Sequence, residues 1–144
     1  MNALAPFDIS GIKILLVDDD EDVLHLVKKI LGNAGANVTV RATVQDALAS
    51  LDDNLPDIII SDLDMPHCDG YELARYLRLR SPAEGGAIPA IALTAHIGSS
   101  YRARALASGF TAHLAKPMRA LKLIETISDV IGATRHEAVT QLAI

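Results

Sequence analysis

The sequence predicts an α/β fold in which helices cover both faces of a parallel five-stranded sheet. Two observations carry that prediction. Short apolar runs at 12–17, 38–40, 57–61, 89–93 and 112–115 alternate with five amphipathic stretches. Strands spaced by helices require parallel pairing through right-handed crossovers. The run Ile58-Ile59-Ile60 is apolar at successive positions, the mark of a strand buried on both faces.

Each element follows in order. Residues 1–11 are a leader without periodicity that ends at the breaker Gly11. The first strand, 12–17, runs straight into Asp18-Asp19-Asp20-Glu21-Asp22. Acidic residues suit a helix's first turn, where they meet its positive end and free N–H groups. That helix carries Val23, Val27, Ile30 and Leu31 at helical spacing, and Gly32 and Gly35 close it. The second strand, 38–40, leads to a helix marked by Ala47, Leu48 and Leu51 that stops before Pro56. The third strand, 57–61, delivers Asp62, and Pro66 and Gly70 mark the loop beyond it. A third helix carries Leu73, Tyr76 and Leu77, and a glycine-containing loop covers 81–87. The fourth strand, 89–93, ends in Thr94-Ala95 and precedes an Ala- and Arg-rich helix over 99–108 that closes at Gly109. After the fifth strand, 112–115, come Lys116 and Pro117. The last helix sets Leu121, Ile124, Ile127 and Ile131 on one stripe and ends at Gly132. One domain thus spans 12–132, and the tail 133–144 fits either a helical extension or a frayed end.

Composition narrows the function. The 144 residues suffice for a real core. Half are apolar, yet no run nears the roughly 18 residues that span a bilayer. The N-terminus lacks the basic-then-apolar pattern of a secretory signal. A single cysteine, Cys68, excludes an internal disulfide framework and fits a reducing cytoplasm. With 13 basic residues against 18 acidic ones and no Trp, direct nucleic-acid binding is not expected. The expectation is a cytoplasmic domain without membrane insertion.

Chemistry-bearing residues fall at the carboxyl ends of the strands, where open α/β sheets bind ligands. The first strand delivers Asp18 and Asp19, the third Asp62 with Asp64 nearby, the fourth Thr94 and the fifth Lys116. Each alone reads equally as a helix cap or a solvated side chain. If the strands are neighbours, the acids converge, and two carboxylates about 5 Å apart repel by roughly 3 kcal/mol at an effective dielectric near 20. A hard cation would relieve that repulsion, and Mg²⁺ fits because it takes one or two carboxylates, waters and a phosphate oxygen. Lys116 and the Thr94 hydroxyl would complete a pocket for a tetraoxy anion. Without the cation, Asp18→Asn or Asp62→Asn should leave the fold at least as stable.

Val17-Asp18-Asp19, Asp62 followed by Met65-Pro66 and Asp69-Gly70, Leu93-Thr94-Ala95 and Lys116-Pro117 stand in the order and spacing of a known family. Over about residues 12–132 the chain resembles the receiver domain of two-component response regulators. The resemblance implies a flavodoxin-like (βα)5 fold, and the strand order 2-1-3-4-5 is carried over from a chemotaxis receiver of that family. It implies that Asp62 is the phospho-acceptor and that Asp19, Asp62 and the Asp64 carbonyl bind Mg²⁺, with Asp18 acting largely through water. Thr94 and Lys116 would hold the phosphoryl oxygens, and a cis peptide before Pro117 would aim Lys116 inward. The implied donor is a phosphohistidine on a histidine kinase or histidine phosphotransfer domain. Phosphorylation would switch the face of the fourth helix, fifth strand and fifth helix toward a downstream effector or covalently linked kinase domains. A homodimer is left open. Such a domain catalyses only its own phosphorylation and dephosphorylation.

Departures from the family stand out. His113 occupies the switch position that is usually Tyr or Phe, and it reads equally as a surface histidine on an edge strand. Met118 replaces a common Phe. Asp64 and His96 stand two residues after Asp62 and Thr94, where the family tunes access of the attacking water. His25, His67 and His136 show no metal-ligand spacing, and Cys68 reads as an ordinary small residue. The segments 88–96 and 113–117 resemble hybrid-kinase receivers. Two other functions compete. Asp62-Leu63-Asp64 mimics the DxD motif of haloacid-dehalogenase-like phosphatases, although the acidic pair here precedes it and no cap domain fits. A receiver-like interaction module that never uses its pocket is the other.

Overall fold

Alternation along the strands sorts the core into two layers. A computed structural model describes residues 7–96 and 98–142, with side chains described as far as residue 134. Strands β1 (Lys13–Val17), β2 (Asn37–Arg41), β3 (Ile58–Asp62), β4 (Ala90–Thr94) and β5 (Ala112–Ala115) form one sheet. Its order is β2-β1-β3-β4-β5 and every pair is parallel. β3 and β4 are buried at every position, as strands covered on both faces must be. Successive side chains point to opposite faces. Ile14, Leu16, Ile58, Ile60, Ile91 and Leu93 therefore pack on helices α1 (Glu21–Asn33) and α5 (Ala120–Leu142). Leu15, Val17, Ile59, Ala90 and Ala92 face α2 (Val44–Ser50), α3 (Gly70–Leu79) and α4 (Ser99–Ser108). The predicted fold class and strand order are those observed.

Local chemistry sets the helix starts. Asp20 caps α1 by accepting from the N–H groups of Asp22 and Val23, Thr43 caps α2 through Asp46 N–H, and Asp69 caps α3 through Glu72 N–H. Each such cap stabilises its helix by about 1 kcal/mol. α4 begins at Gly98 with no side-chain cap.

Several sequence expectations are corrected. Tyr76 is 50 % exposed, and Tyr71 is buried on α3 beside Leu73, Ala74 and Leu77. Leu121 is 63 % exposed, and Leu123 leads the buried stripe with Ile127 and Ile131. Steps of four keep a helix stripe aligned, whereas the six positions from Leu121 to Ile127 miss by about a third of a turn. α5 does not end at Gly132; it continues to Leu142. Gly132 is exposed with nothing near its missing Cβ, so it weakens the helix without stopping it. Within 81–87 a 3-10 turn covers Pro82–Glu84. β3 and β4 each reach one residue further than expected, which makes Asp62 and Thr94 the last strand residues rather than loop residues.

Arg78 of α3 fixes two loops at once. Its Nε and Nη2 donate to the Gly109 carbonyl over 3.0 and 2.7 Å, and its Nη1 donates to Gly86 and Ile88 over 3.0 and 2.6 Å. Burial lowers its pKa from the ordinary value. Arg78→Ala leaves three carbonyls to find other donors. Its urea midpoint is expected to fall by the equivalent of about 2–3 kcal/mol. Arg78→Lys recovers little, because one ammonium cannot reproduce the planar fork.

Candidate functional site

β1 and β3 are adjacent, so their carboxyl ends place Asp18 and Asp62 side by side. Asp18 is 2 % exposed and Asp62 8 % exposed, both beneath the exposed Asp19. One carboxylate oxygen from each of the three lies within 4.8 Å of the others. Asp18 Oδ1 also accepts from Asp20 N–H over 2.9 Å, which turns the chain into α1 and leaves Oδ2 for the site.

Lys116 enters from the far side of β4. Its N–H donates to the Thr94 carbonyl over 2.7 Å, and the Lys116–Pro117 peptide is cis. Its Nζ donates to Asp18 Oδ2 over 2.8 Å and stands 3.4 Å from Asp62 Oδ1. Burial opposes the lysine charge, but Asp18 and then Asp62 outweigh it and raise its pKa. Burial raises the Asp62 pKa, the Asp18 charge adds to it, and Lys116 offsets part of the rise. The pocket thus holds a desolvated carboxylate beside a retained positive charge.

The expected residues converge unequally. Asp18, Asp19, Asp62 and Lys116 meet directly. Thr94 is fully buried and meets Lys116 through its backbone, while its Oγ1 accepts from His96 N–H over 3.0 Å. The Asp64 carboxylate turns to His96, Nε2 to Oδ2, over 2.6 Å. An all-oxygen donor set of this kind suits a hard divalent ion. Cys68 Sγ lies 3.4 Å from Glu72, and burial followed by that carboxylate raises the thiol pKa, which disfavours the thiolate.

His113 lies on the edge strand β5 opposite Ala92, yet it is only partly exposed. Its Nε2 is enclosed without a hydrogen-bond partner among the described residues. Gly98, Ser99, Arg102 and Ala115 line the groove beside it. Burial, then the Arg102 charge, lowers its pKa from the ordinary 6.5. A depressed folded pKa means that the unfolded chain takes the proton first as the pH falls. The stability linked to His113 is therefore complete above about pH 6.5 and is lost as pH drops through the folded pKa. His113→Phe is expected to flatten the decline of the urea midpoint as the pH falls below about 6.5. An unchanged slope would contradict this.

Some contributors escaped the sequence reading. Tyr101 stacks on His96 with ring centroids 4.8 Å apart, and the Arg104 guanidinium lies over the Tyr71 ring at 3.9 Å. Neither pairing has a local signal, since each joins residues from separate elements or from opposite sides of a loop.

A doubly wound sheet with acids and a lysine gathered at its strand tips defines the α/β proteins that act at the switch point of strand order. The response regulator receiver domain profile matches residues 14–128. The chain is 42 % identical over 129 residues to an uncharacterized 14.6 kDa protein in the sodA1 3′ region of Leptolyngbya boryana, covering 90 % of this chain and 93 % of that one. It is also 42 % identical over 129 residues to hybrid signal transduction histidine kinase D of Dictyostelium discoideum, covering 85 % of this chain but 8 % of the kinase. The receiver domain of sensor histidine kinase PA1611 from Pseudomonas aeruginosa, solved with magnesium coordinated in its active-site cleft, superimposes with a TM-score of 0.77. That match has 32 % identity and covers 85 % of this chain and 99 % of the other. The chain belongs to the response regulator receiver domain family and is a signalling domain of two-component systems.

Proposed function

We propose that Asp62 accepts a phosphoryl group from a phosphohistidine on a histidine kinase or histidine phosphotransfer domain. The observation that carries this is the meeting of three carboxylates within 4.8 Å, with Lys116 Nζ seated between Asp18 and Asp62. An Asp62 oxygen attacks phosphorus in line as the donor's P–N bond breaks, and the departing imidazole nitrogen takes a proton from solvent. Asp19, Asp62 and the Asp64 carbonyl would hold Mg²⁺, with Asp18 acting through water. When bound, the ion neutralises charge on the phosphoryl oxygens. Lys116 stays charged beside the acceptor and binds one phosphoryl oxygen, and the Thr94 hydroxyl donates to another. The acyl phosphate later hydrolyses, so the domain resets itself without turning over a separate substrate.

Phosphorylation shifts a pre-existing equilibrium of the α4–β5–α5 face through Thr94 and His113. That face docks a downstream effector or kinase domains on the same polypeptide. No direct contact with nucleic acid is needed, given the net charge of −5. No described helix is long and apolar enough to cross a membrane, which fits the proposed cytoplasmic setting.

Incubation with acetyl phosphate and Mg²⁺, followed by intact-mass measurement, tests this reading. A gain of one phosphoryl group is expected. No gain in the wild type overturns it and leaves an inert receiver-like module. Steady turnover of small phosphomonoesters would instead support a phosphatase.

A further inference from the structure

The two loops that flank Asp62 are joined by side chains outside the chemistry proposed above. His96 follows β4 and Asp64 follows β3, and the 2.6 Å contact between His96 Nε2 and Asp64 Oδ2 bridges them. The His96 ring also lies on Tyr101 in the first turn of α4, with centroids 4.8 Å apart and planes 13° from parallel. Its backbone N–H meanwhile donates to Thr94 Oγ1. One residue therefore ties together the acceptor loop, the Thr94 hydroxyl and the uncapped start of α4.

We propose that Asp64, His96 and Tyr101 form a latch. It holds the first turn of α4 to the acceptor loop in the unphosphorylated protein and opens when Asp62 is phosphorylated. The latch rests on Asp62 being the acceptor. A phosphoryl group brings about −1.5 to −2 charges and three strong acceptor oxygens to a point two residues from Asp64. It repels the Asp64 carboxylate and offers the His96 N–H a stronger partner. When the Thr94 hydroxyl turns toward the phosphoryl group, the acceptor that fixes the His96 backbone is withdrawn. Both changes pull His96 from beneath Tyr101, which is 40 % exposed and has solvent to move into. Tyr101 is then a second ring, besides His113, whose movement reports the site.

The test uses the full chain, isotopically labelled, with Mg²⁺ and beryllofluoride as a phosphoryl mimic. Amides next to Asp62 report loading, and cross-relaxation between the His96 and Tyr101 rings reports the latch. Loading is expected to abolish that cross-relaxation. Tyr101→Ala and His96→Ala no longer spend binding energy on opening the latch, so each is expected to bind beryllofluoride about 3- to 10-fold more tightly. If loading shifts the Asp62 amides while the ring contact persists, or while both variants keep wild-type affinity, the latch is wrong and the acceptor stands. If the amides do not respond at all, latch and acceptor fall together.

Discussion

Asp62→Asn is expected to abolish the gain of phosphoryl mass from acetyl phosphate and to raise the metal-free stability of the fold. The first effect is all-or-none, because the amide has no anionic oxygen with which to attack phosphorus. The second follows from burial. Asp62 is 8 % exposed beside Asp18, and its pKa is raised by burial and by that neighbour. A raised carboxyl pKa contributes stability below the ordinary value of 3.8 and loses it as the pH rises through the folded pKa. At neutral pH the ionised group therefore costs stability, and Asn removes that cost. Lys116 offsets part of that cost, so the net gain is about 1 kcal/mol. Urea unfolding in chelator should show the gain at pH 7.5 and lose it near pH 4. A loss of several kcal/mol at neutral pH would make Asp62 a structural residue.

Asp18 is expected to differ, because its bonding sets it apart from acidic crowding alone. Its Oδ2 accepts from Lys116 and its Oδ1 from Asp20 N–H. Asp18→Asn weakens a buried ion pair and is expected to lower stability by about 1–2 kcal/mol in the same assay. Counting carboxylates along the chain reveals crowding, but it does not reveal which of them the lysine neutralises.

That contrast marks how far sequence reading reaches. The alternation of strands and helices was legible because burial on both faces requires unbroken apolar runs, as at Ile58-Ile59-Ile60. The convergence of Asp18, Asp62 and Lys116 was legible because each lies at or just past the end of a strand, and a parallel sheet gathers strand ends at one edge. Helix phase was less legible, since Tyr71 and Tyr76 have equal claims to burial until the start of α3 at Gly70 is fixed. Contacts set by the meeting of two loops were not legible at all. Arg78 looks like any surface arginine until Gly86, Ile88 and Gly109 present their carbonyls to it. Tyr101 looks like any helical tyrosine until His96 lies across it.

Gly70→Ala is expected to damage fold and site together, because α3 starts in contact with the end of β3. A Cβ at Gly70 would stand 2.2 Å from the Asp62 carbonyl oxygen, 2.9 Å from Leu63 Cα and 3.1 Å from the Asp62 carbonyl carbon. All three atoms are backbone, so no side-chain rotamer relieves the overlap. Either α3 retreats from β3, exposing Leu73, Ala74 and Leu77, or the peptide that carries Asp62 shifts. The first route costs buried apolar area and the second displaces the Asp62 carboxylate from Lys116. The expected loss of stability is about 3 kcal/mol, read from the urea midpoint. Among molecules that remain folded, phosphorylation by acetyl phosphate should slow by about 10-fold or more, since a displacement near 1 Å can cost 100-fold in a positioned reaction. Gly132→Ala is the control, with open space around its Cβ in an exposed helix turn. It should gain about 0.5–1 kcal/mol from helix propensity alone and leave the phosphorylation rate unchanged. If Gly70→Ala matched that control in both measurements, the close approach of α3 to β3 would not be what holds Asp62 in position.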